Sequence, residues 1–209
     1  MKNTQNLTEG KILPSLLRFA VPVLFTLFLQ ALYGGVDLLV VGQFGSTEDV
    51  SGVATGSMLL QTATMIVTGL SMGVTISVGE KIGMRKPREA GQAIGSGICL
   101  FAVFAVVMTG TLVGGAGILA GLLHAPEEAF GQTVAYIRIC GSGSLFIVAY
   151  NLLGSIFRGL GDSRMPLITV TIACVCNIAG DLLLVGGFGL GVAGAAIATD
   201  IGFFVGFLL

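Results

Sequence analysis

Charged residues, tryptophan and histidine are scarce in this sequence. It has no tryptophan and one histidine, and 10% of its 209 residues are charged, whereas soluble domains carry about 25%. The four cysteines lie within apolar stretches without metal-ligand spacing, and no phosphate-binding glycine motif ends in Lys-Ser or Lys-Thr. A disulfide framework, a zinc or haem cofactor and ATP hydrolysis are therefore not expected. The chain is predicted to be no enzyme and to bind no nucleic acid.

Apolar residues and glycine are abundant instead. Hydrophobic residues make up 54% of the chain, the mean hydropathy is +0.97, and 33 glycines are scattered among Leu, Val, Ile and Ala. A soluble protein of this size could not bury so much apolar surface, and glycine is frequent in transmembrane helices because it lets backbones approach closely. Small-xxx-small pairs recur, although many are expected by chance, at Gly52/Gly56, Gly69/Gly73, Gly110/Gly114, Gly117/Gly121 and Gly202/Gly206.

Six apolar stretches are long enough to cross a bilayer, which requires about 18 residues or more. They cover approximately residues 13–41, 53–78, 92–123, 130–157, 165–185 and 192–209, and charged or glycine-rich segments separate them. The first stretch is too long for the core of a signal peptide and is expected to remain as a helix. The sequence predicts an all-α membrane protein in which residues 1–209 form one bundle of six transmembrane helices in the lipid bilayer.

Basic residues gather on one side of this predicted bundle. Arg138 lies inside the fourth stretch, and the other nine are in the amino-terminal segment, the second loop and the fourth loop: Lys2, Lys11, Arg18, Lys81, Arg85, Lys86, Arg88, Arg158 and Arg164. Loops rich in Lys and Arg stay in the cytoplasm. We therefore expect a multi-pass protein of the cell membrane with a cytoplasmic amino terminus.

Two carboxylates lie inside apolar stretches, Asp37 in the first and Asp181 in the fifth. Each costs about 2.5–3.5 kcal/mol at the bilayer centre on insertion scales, so an acid there indicates function. Residues three or four positions apart share a helix face. Asp37 therefore shares its face with Gln30 and Tyr33, and Asp181 shares its face with Asn177.

The sixth stretch adds a hydroxyl group at Thr199, and Asp200 follows about 100° around the helix. If these helices meet, carboxylate, amide and hydroxyl oxygens converge in a low-dielectric cavity. Such oxygens bind hard cations, and two neighbouring acids favour uptake of a proton. One interpretation is a site that binds a cation and releases it across the membrane. The alternative is that each acid only hydrogen-bonds a neighbouring helix, and for Asp200 the two interpretations are equally supported.

Four segments, in order, resemble the multidrug and toxic compound extrusion (MATE) transporters. Their first helix is matched by Leu7-Thr8-Glu9-Gly10, Pro22, Leu32-Tyr33, Val36-Asp37 and Val41-Gly42. Their fourth cytoplasmic connection is matched by Arg158-Gly159-Leu160-Gly161-Asp162-Ser163 with Pro166. The acidic motif of their fifth helix and the start of their sixth are matched by residues 177–181 and 191–199. The resemblance covers the whole chain.

The resemblance implies a fold, an activity and a set of residues. The fold is the amino-terminal lobe, six helices, of a twelve-helix transporter. The activity is antiport, in which sodium or proton entry drives export of cationic, amphipathic organic compounds, with no cofactor besides the coupling ion. The implied cation site, which would hold sodium if the transporter is sodium-coupled, consists of Asp37, Asn177, Asp181 and Thr199, with Gln30 and Tyr33 lining the same cavity.

Two departures from the family leave alternatives open. The chain matches one of two lobes, so a missing carboxyl-terminal lobe or a second half is expected as its partner. Asp200 stands where the family has an apolar residue; it is predicted to line the cavity as a third titratable group, and the alternative is that it faces the missing lobe. Pro22 interrupts the hydrogen bonding of the first helix and is a possible hinge. A lipid flippase of the wider superfamily and a truncated, non-transporting membrane fragment are the alternative functions.

Overall fold

The computed structural model describes residues 12–209, except for the side chains of Ile12 and Tyr33. The segment Leu7-Thr8-Glu9-Gly10 lies outside these residues. Within them no strand is present and the prediction of an all-α fold is confirmed. The helices are α1 (Ile12–Phe44), α2 (Thr47–Gly83), α3 (Pro87–Leu122), α4 (Phe130–Ser142), α5 (Ser144–Gly159), α6 (Arg164–Asp181) and α7 (Gly191–Leu208), with a 3-10 turn at Glu127–Ala129 and a π-helical turn at Leu182–Gly187.

Five segments of the described chain are individually long and apolar enough to cross a membrane: Leu13–Phe44, Thr47–Gly83, Pro87–Leu122, Arg164–Gly187 and Gly191–Leu208. Helices α4 and α5, which meet at an angle of 53°, are long and apolar enough for a sixth crossing when taken together. The chain therefore has the helices of a multi-pass membrane protein.

The fourth predicted stretch, residues 130–157, is broken rather than continuous. The break follows the sequence Gly141-Ser142-Gly143, and glycine weakens a helix because its backbone loses the most freedom on ordering. The hydroxyl of Ser144, which begins α5, lies 2.6 Å from that of Thr109 on α3 and does not cap its own helix. Local sequence and a contact to α3 together hold this bend.

Two helices extend beyond their apolar stretches because polar residues begin them. Ser46 caps α2: its hydroxyl accepts the N–H of Asp49 at 3.1 Å, and the Asp49 carboxylate accepts the N–H of Ser46 at 3.0 Å. Pro87 opens α3 at its first turn, where a missing N–H breaks no hydrogen bond. Charged ends thus flank the apolar middle of each helix.

Apolar side chains fill two interior clusters and also cover the outer surface. The first cluster joins α2, α3, α4 and α5, and the second joins α1, α2, α4 and α7 with the π-helical turn; their larger members are Val67, Phe101, Met108, Leu112, Ile137 and Leu152, and Val41, Val53, Tyr136, Val185 and Val192. Leu100, Val103 and Val106 on α3 face outward and are exposed. Such an outer surface suits lipid tails.

Both glycines of the Gly52/Gly56 pair lie at a close helix contact. A Cβ atom at Gly52 would lie 2.5 Å from the Gln132 Cβ, and one at Gly56 would lie 2.5 Å from the Tyr136 ring. The pairs Gly69/Gly73, Gly110/Gly114 and Gly117/Gly121 have open space at the same positions. The backbones of α2 and α4 thus meet at Gly52 and Gly56.

Candidate cation-coupling site

Helices α1, α6 and α7 bring together four of the predicted site residues, here called the acid cluster: Asp37, Asn177, Asp181 and Thr199. Asn177 and Asp181 are fully buried, and Asp37 and Thr199 are each 2% exposed. The Thr199 hydroxyl donates a hydrogen bond of 2.9 Å to Oδ2 of Asp37. The Asp37 carboxylate also faces the side chains of Asp181 and Asn177. Residues far apart in sequence therefore form one buried polar site.

A close contact between α6 and α7 aligns the two sides of the acid cluster. A Cβ atom at Gly180 would lie 3.0 Å from the Ala198 Cβ, so the helices approach at these positions. Asp181 and Thr199 are the next residues on each helix and enter the site together. Asp181 also ends the regular part of α6, because the π-helical turn Leu182–Gly187 follows it directly. Single π-helical turns are frequent at functional sites.

Several polar atoms of the acid cluster have no hydrogen-bond partner among the described residues. Oδ1 of Asp37, both carboxylate oxygens of Asp181, and both polar atoms of the Asn177 amide are buried and make no hydrogen bond within the described residues. The salt bridges of the described chain join Lys81 and Lys86 to Glu89, at the connection between α2 and α3. Two buried carboxylates without a basic partner are costly unless a cation or a proton neutralises them.

The unpartnered atoms fit a hard cation better than a transition metal. The described residues contain no group of three or more His, Cys, Asp and Glu side chains placed to bind a metal ion. Carboxylate, amide and hydroxyl oxygens are instead the ligands of hard cations such as sodium. A proton shared by the two carboxylates would join one oxygen of Asp37 to one oxygen of Asp181.

Gln30 and Tyr33 were predicted to line the same cavity. Gln30 is half-buried and contacts Tyr150 on α5, which also contacts Thr169 on α6. Gln30 therefore links α1 to α5 and lies two turns before Asp37 on its helix. The side chain of Tyr33 lies outside the described residues, so its place in the cavity stays a prediction.

Comparisons with known proteins identify the family of the chain. The family model MatE matches residues 22–183, a segment that includes Pro22, Asp37, Asn177 and Asp181. The chain belongs to the MatE family. The expected resemblance to multidrug and toxic compound extrusion transporters is thereby confirmed.

Individual relatives match almost the whole of this MatE chain. It is 28% identical to the probable multidrug resistance protein YpnP of Bacillus subtilis, covering 96% of the chain and 45% of the relative. It is also 28% identical to the probable multidrug resistance protein NorM of Thermotoga maritima, covering 94% and 43%. A crystal structure of MATE in the bent conformation has the same fold, with a TM-score of 0.91 and 24% identity over 99% of this chain and 46% of that one. The chain spans less than half the length of each.

Asp200 of this MatE chain does not join the acid cluster. A Cβ atom at Gly143 would collide with its carboxylate, so Asp200 lies against the break between α4 and α5. Thr199 and Asp200 are adjacent on α7 and project about 100° apart, which explains why one enters the cluster and the other does not. The predicted role of Asp200 in lining the cavity of the other residues has no support in this placement.

A row of hydrogen-bonded polar side chains, here called the polar seam, joins α2 to α5, and it was not predicted from the sequence. Thr68 donates to the Asn151 side chain at 3.1 Å, the hydroxyls of Ser71 and Ser155 lie 2.8 Å apart, and Thr75 donates to the Ser155 carbonyl at 2.9 Å. Arg158 also donates to the Ser155 hydroxyl at 2.8 Å. These residues are spaced by three and four positions on each helix, and this spacing could have predicted a polar face on both.

Pro22 lies inside α1, about three turns after its start. Proline has no N–H, so the carbonyl of Arg18 lacks the donor that a regular helix would place there. The hydroxyl of Thr26, which is buried, donates to the Pro22 carbonyl at 2.9 Å. This MatE chain therefore has a weakened point in the same helix that carries Asp37.

Proposed function

We propose that the chain forms the cation-coupling lobe of an antiporter, in which inward movement of sodium ions or protons drives export of cationic, amphipathic compounds. The observation that carries the proposal is the acid cluster, where Asp37 and Asp181 are buried side by side with unpartnered oxygens. Membership of the MatE family and relatives named as multidrug resistance proteins support drug efflux as the activity.

The acid cluster suits coupling because no basic side chain of the described residues neutralises Asp37 or Asp181. When bound, a sodium ion or a proton would neutralise the negative charge that Asp37 and Asp181 carry together. Thr199 orients Asp37 through its hydrogen bond, and Asn177 and Asp181 offer further oxygens from α6. The surrounding helices exclude water, which makes each interaction with the cation stronger than it would be in solution. The four side chains thus bind the cation and respond to its release.

The two-lobe architecture of transporters explains what this lobe contributes. In many secondary transporters the substrate moves between two repeats that rock about a central site. We assign the cation site to this chain and propose that a carboxyl-terminal lobe or a second half supplies the other wall of the substrate path. Export by the complete transporter would then require both halves.

The proposed orientation places the connections α2–α3 and α5–α6 in the cytoplasm. The first carries Lys81, Arg85, Lys86 and Arg88, and the second is flanked by Arg158 and Arg164. Basic loops stay on the cytoplasmic side. A single cysteine introduced at position 85 or at position 128, in place of Arg85 or Glu128, tests this orientation with a membrane-impermeant thiol reagent. In intact cells the cysteine at position 128 should react and the cysteine at position 85 should not. The reverse pattern would overturn the orientation.

The variant Asp37→Asn, made in the gene-encoded protein, tests the proposed function. The amide keeps the shape of the side chain but cannot lose a proton or carry charge, so energised efflux of a cationic dye should be abolished while membrane insertion continues. Glu128→Gln, which removes an exposed acid of the 3-10 turn, should transport normally. Efflux at the wild-type rate by Asp37→Asn would refute the proposal, and comparing imposed sodium and proton gradients identifies the ion.

A further inference from the structure

Arg138 is a basic residue on the exposed surface of α4. It lies eight residues after Phe130, where the helix begins. Eight residues of helix span about 12 Å, so Arg138 lies well inside the bent pair of helices α4 and α5 rather than at its start. A charge at such a depth in a bilayer is costly unless it reaches the headgroup region or meets an opposite charge.

The described part of the chain does not compensate the charge of Arg138. Its salt bridges lie elsewhere, at the connection between α2 and α3, and no hydrogen bond joins the Arg138 guanidinium to a described residue. The nearest acids in the sequence, Glu127 and Glu128, are exposed in the 3-10 turn before α4 and form no ion pair with it. The guanidinium is therefore available to a partner from the surroundings of the helix bundle.

Small and apolar residues surround Arg138. Gly131 and Ala135 precede it by seven and three positions and share its helix face, and a Cβ atom at Gly131 would have open space around it. On the other flank Gly141 packs against Val113 of α3, which is 36% exposed. These residues, Gly131, Ala135 and Arg138 on α4 and Val113 on α3, are here called the Arg138 face. It combines one cation with an apolar surface suited to acyl chains.

The direction of α4 brings the charge of Arg138 toward the outer surface of the membrane. Helical side chains lean toward the amino terminus of their helix, and α4 begins at the outer side in the proposed orientation. Arginine side chains near a membrane surface place the charged head at the interface while the stem covers apolar surface. Gly131 and Ala135 lie along that path, and their small side chains leave room for a headgroup beside the guanidinium.

We propose that the Arg138 face binds the phosphate group of an anionic phospholipid in the outer leaflet. The guanidinium offers paired N–H donors that match a phosphate group, and the acyl chains lie against Val113 and the apolar surface below it. A lipid with net negative charge is preferred to a zwitterionic one, because this face contains no carboxylate to pair with an ammonium group. The proposal goes beyond the proposed function, which uses the acid cluster, and only its choice of leaflet rests on the proposed orientation.

Native mass spectrometry of the gene-encoded protein tests this with phosphatidylglycerol and phosphatidylcholine of identical acyl chains. The wild type should bind its first phosphatidylglycerol more tightly than its first phosphatidylcholine. Arg138→Gln should weaken phosphatidylglycerol binding about fivefold, the loss expected for one basic residue at a membrane surface, and Arg138→Lys should weaken it less. Arg88→Gln is the matched control, because it removes an exposed arginine from the start of α3. It should bind the first lipid as the wild type does.

Three results would overturn the proposal. They are equal binding of the two lipids by the wild type, wild-type phosphatidylglycerol affinity in Arg138→Gln, and an equal loss in Arg88→Gln, which would indicate attraction by total charge alone.

Inorganic phosphate separates a lipid headgroup from a soluble anion. It should not compete with phosphatidylglycerol at equal concentration, and effective competition would assign the site to a soluble anion and refute the lipid. If Arg138→Gln does not fold, Gly131→Leu is a second variant, since its side chain enters open space beside the path of the guanidinium. It should also weaken phosphatidylglycerol binding, and an unchanged affinity would count equally against the site.

Discussion

The contact between α2 and α4 at Gly52 gives the most direct test of the fold. Replacing Gly52 with Ala places a methyl group 2.5 Å from the Gln132 Cβ and 3.2 Å from backbone atoms of Gln132 and Thr133. The two atoms at 3.2 Å belong to the backbone of α4, and the Gln132 Cβ is fixed to that backbone, so none of the three can rotate away. The two helices must separate, and we expect the membrane protein to lose stability.

The magnitude follows from two opposing effects. Overpacking a well-packed contact costs about 1–3 kcal/mol, whereas changing Gly to Ala inside a helix gains about 0.5–1 kcal/mol from backbone entropy. Gly69 is the matched control, because it lies in the same helix with open space where its Cβ would be. Gly69→Ala should show the gain alone. The two variants should therefore differ in free energy of unfolding by about 1–3 kcal/mol.

The assay is unfolding of the purified protein in mixed micelles with increasing SDS, followed by circular dichroism. Gly52→Ala should unfold at a lower SDS fraction than wild type, and Gly69→Ala at an equal or higher one. If both variants unfold at the same SDS fraction, the close approach of α2 and α4 at Gly52 is wrong, and the packing described for the second cluster fails with it.

Two further predictions concern the site and the hinge. Thr199→Val keeps the side-chain shape but removes the hydroxyl 2.9 Å from Asp37; the apparent cation affinity, read from cation-dependent thermal stability, should fall about tenfold, while Thr199→Ser stays near wild type. Wild-type affinity in the Val variant would contradict the proposed role. Pro22→Ala restores the N–H for the Arg18 carbonyl, so it should raise stability yet impair dye efflux. Full efflux would exclude a hinge at Pro22.

The spans and the members of the acid cluster could be predicted because both depend on local rules. Hydrocarbon thickness sets the length of an apolar stretch, and the period of the helix places Asn177 and Asp181 on one face. That α1, α6 and α7 meet at these faces does not follow from either rule. The resemblance to a known family supplied this arrangement, and the hydrogen bond between Thr199 and Asp37 agrees with it.

Other features could not be predicted, because they depend on which residues meet in space. The glycine pairs look alike in the sequence, yet Gly52 and Gly56 contact α4, whereas Gly69 and Gly73 have open space beside them. The fourth stretch passes as one span by its length and hydropathy, and its break at Gly143 is evident only in the structure. The π-helical turn after Asp181 likewise leaves no mark in hydropathy.

The hydrogen bond from Thr199 to Asp37 has a consequence for how the first helix is held. The oxygen that joins α1 to α7 belongs to the same carboxylate that the proposed function assigns to a cation. A helix attached through its own binding site is attached with a strength that depends on ion concentration. If the proposed cation site is correct, a bound ion therefore competes with Thr199 for Asp37, and the attachment of α1 to α7 changes when the site is occupied.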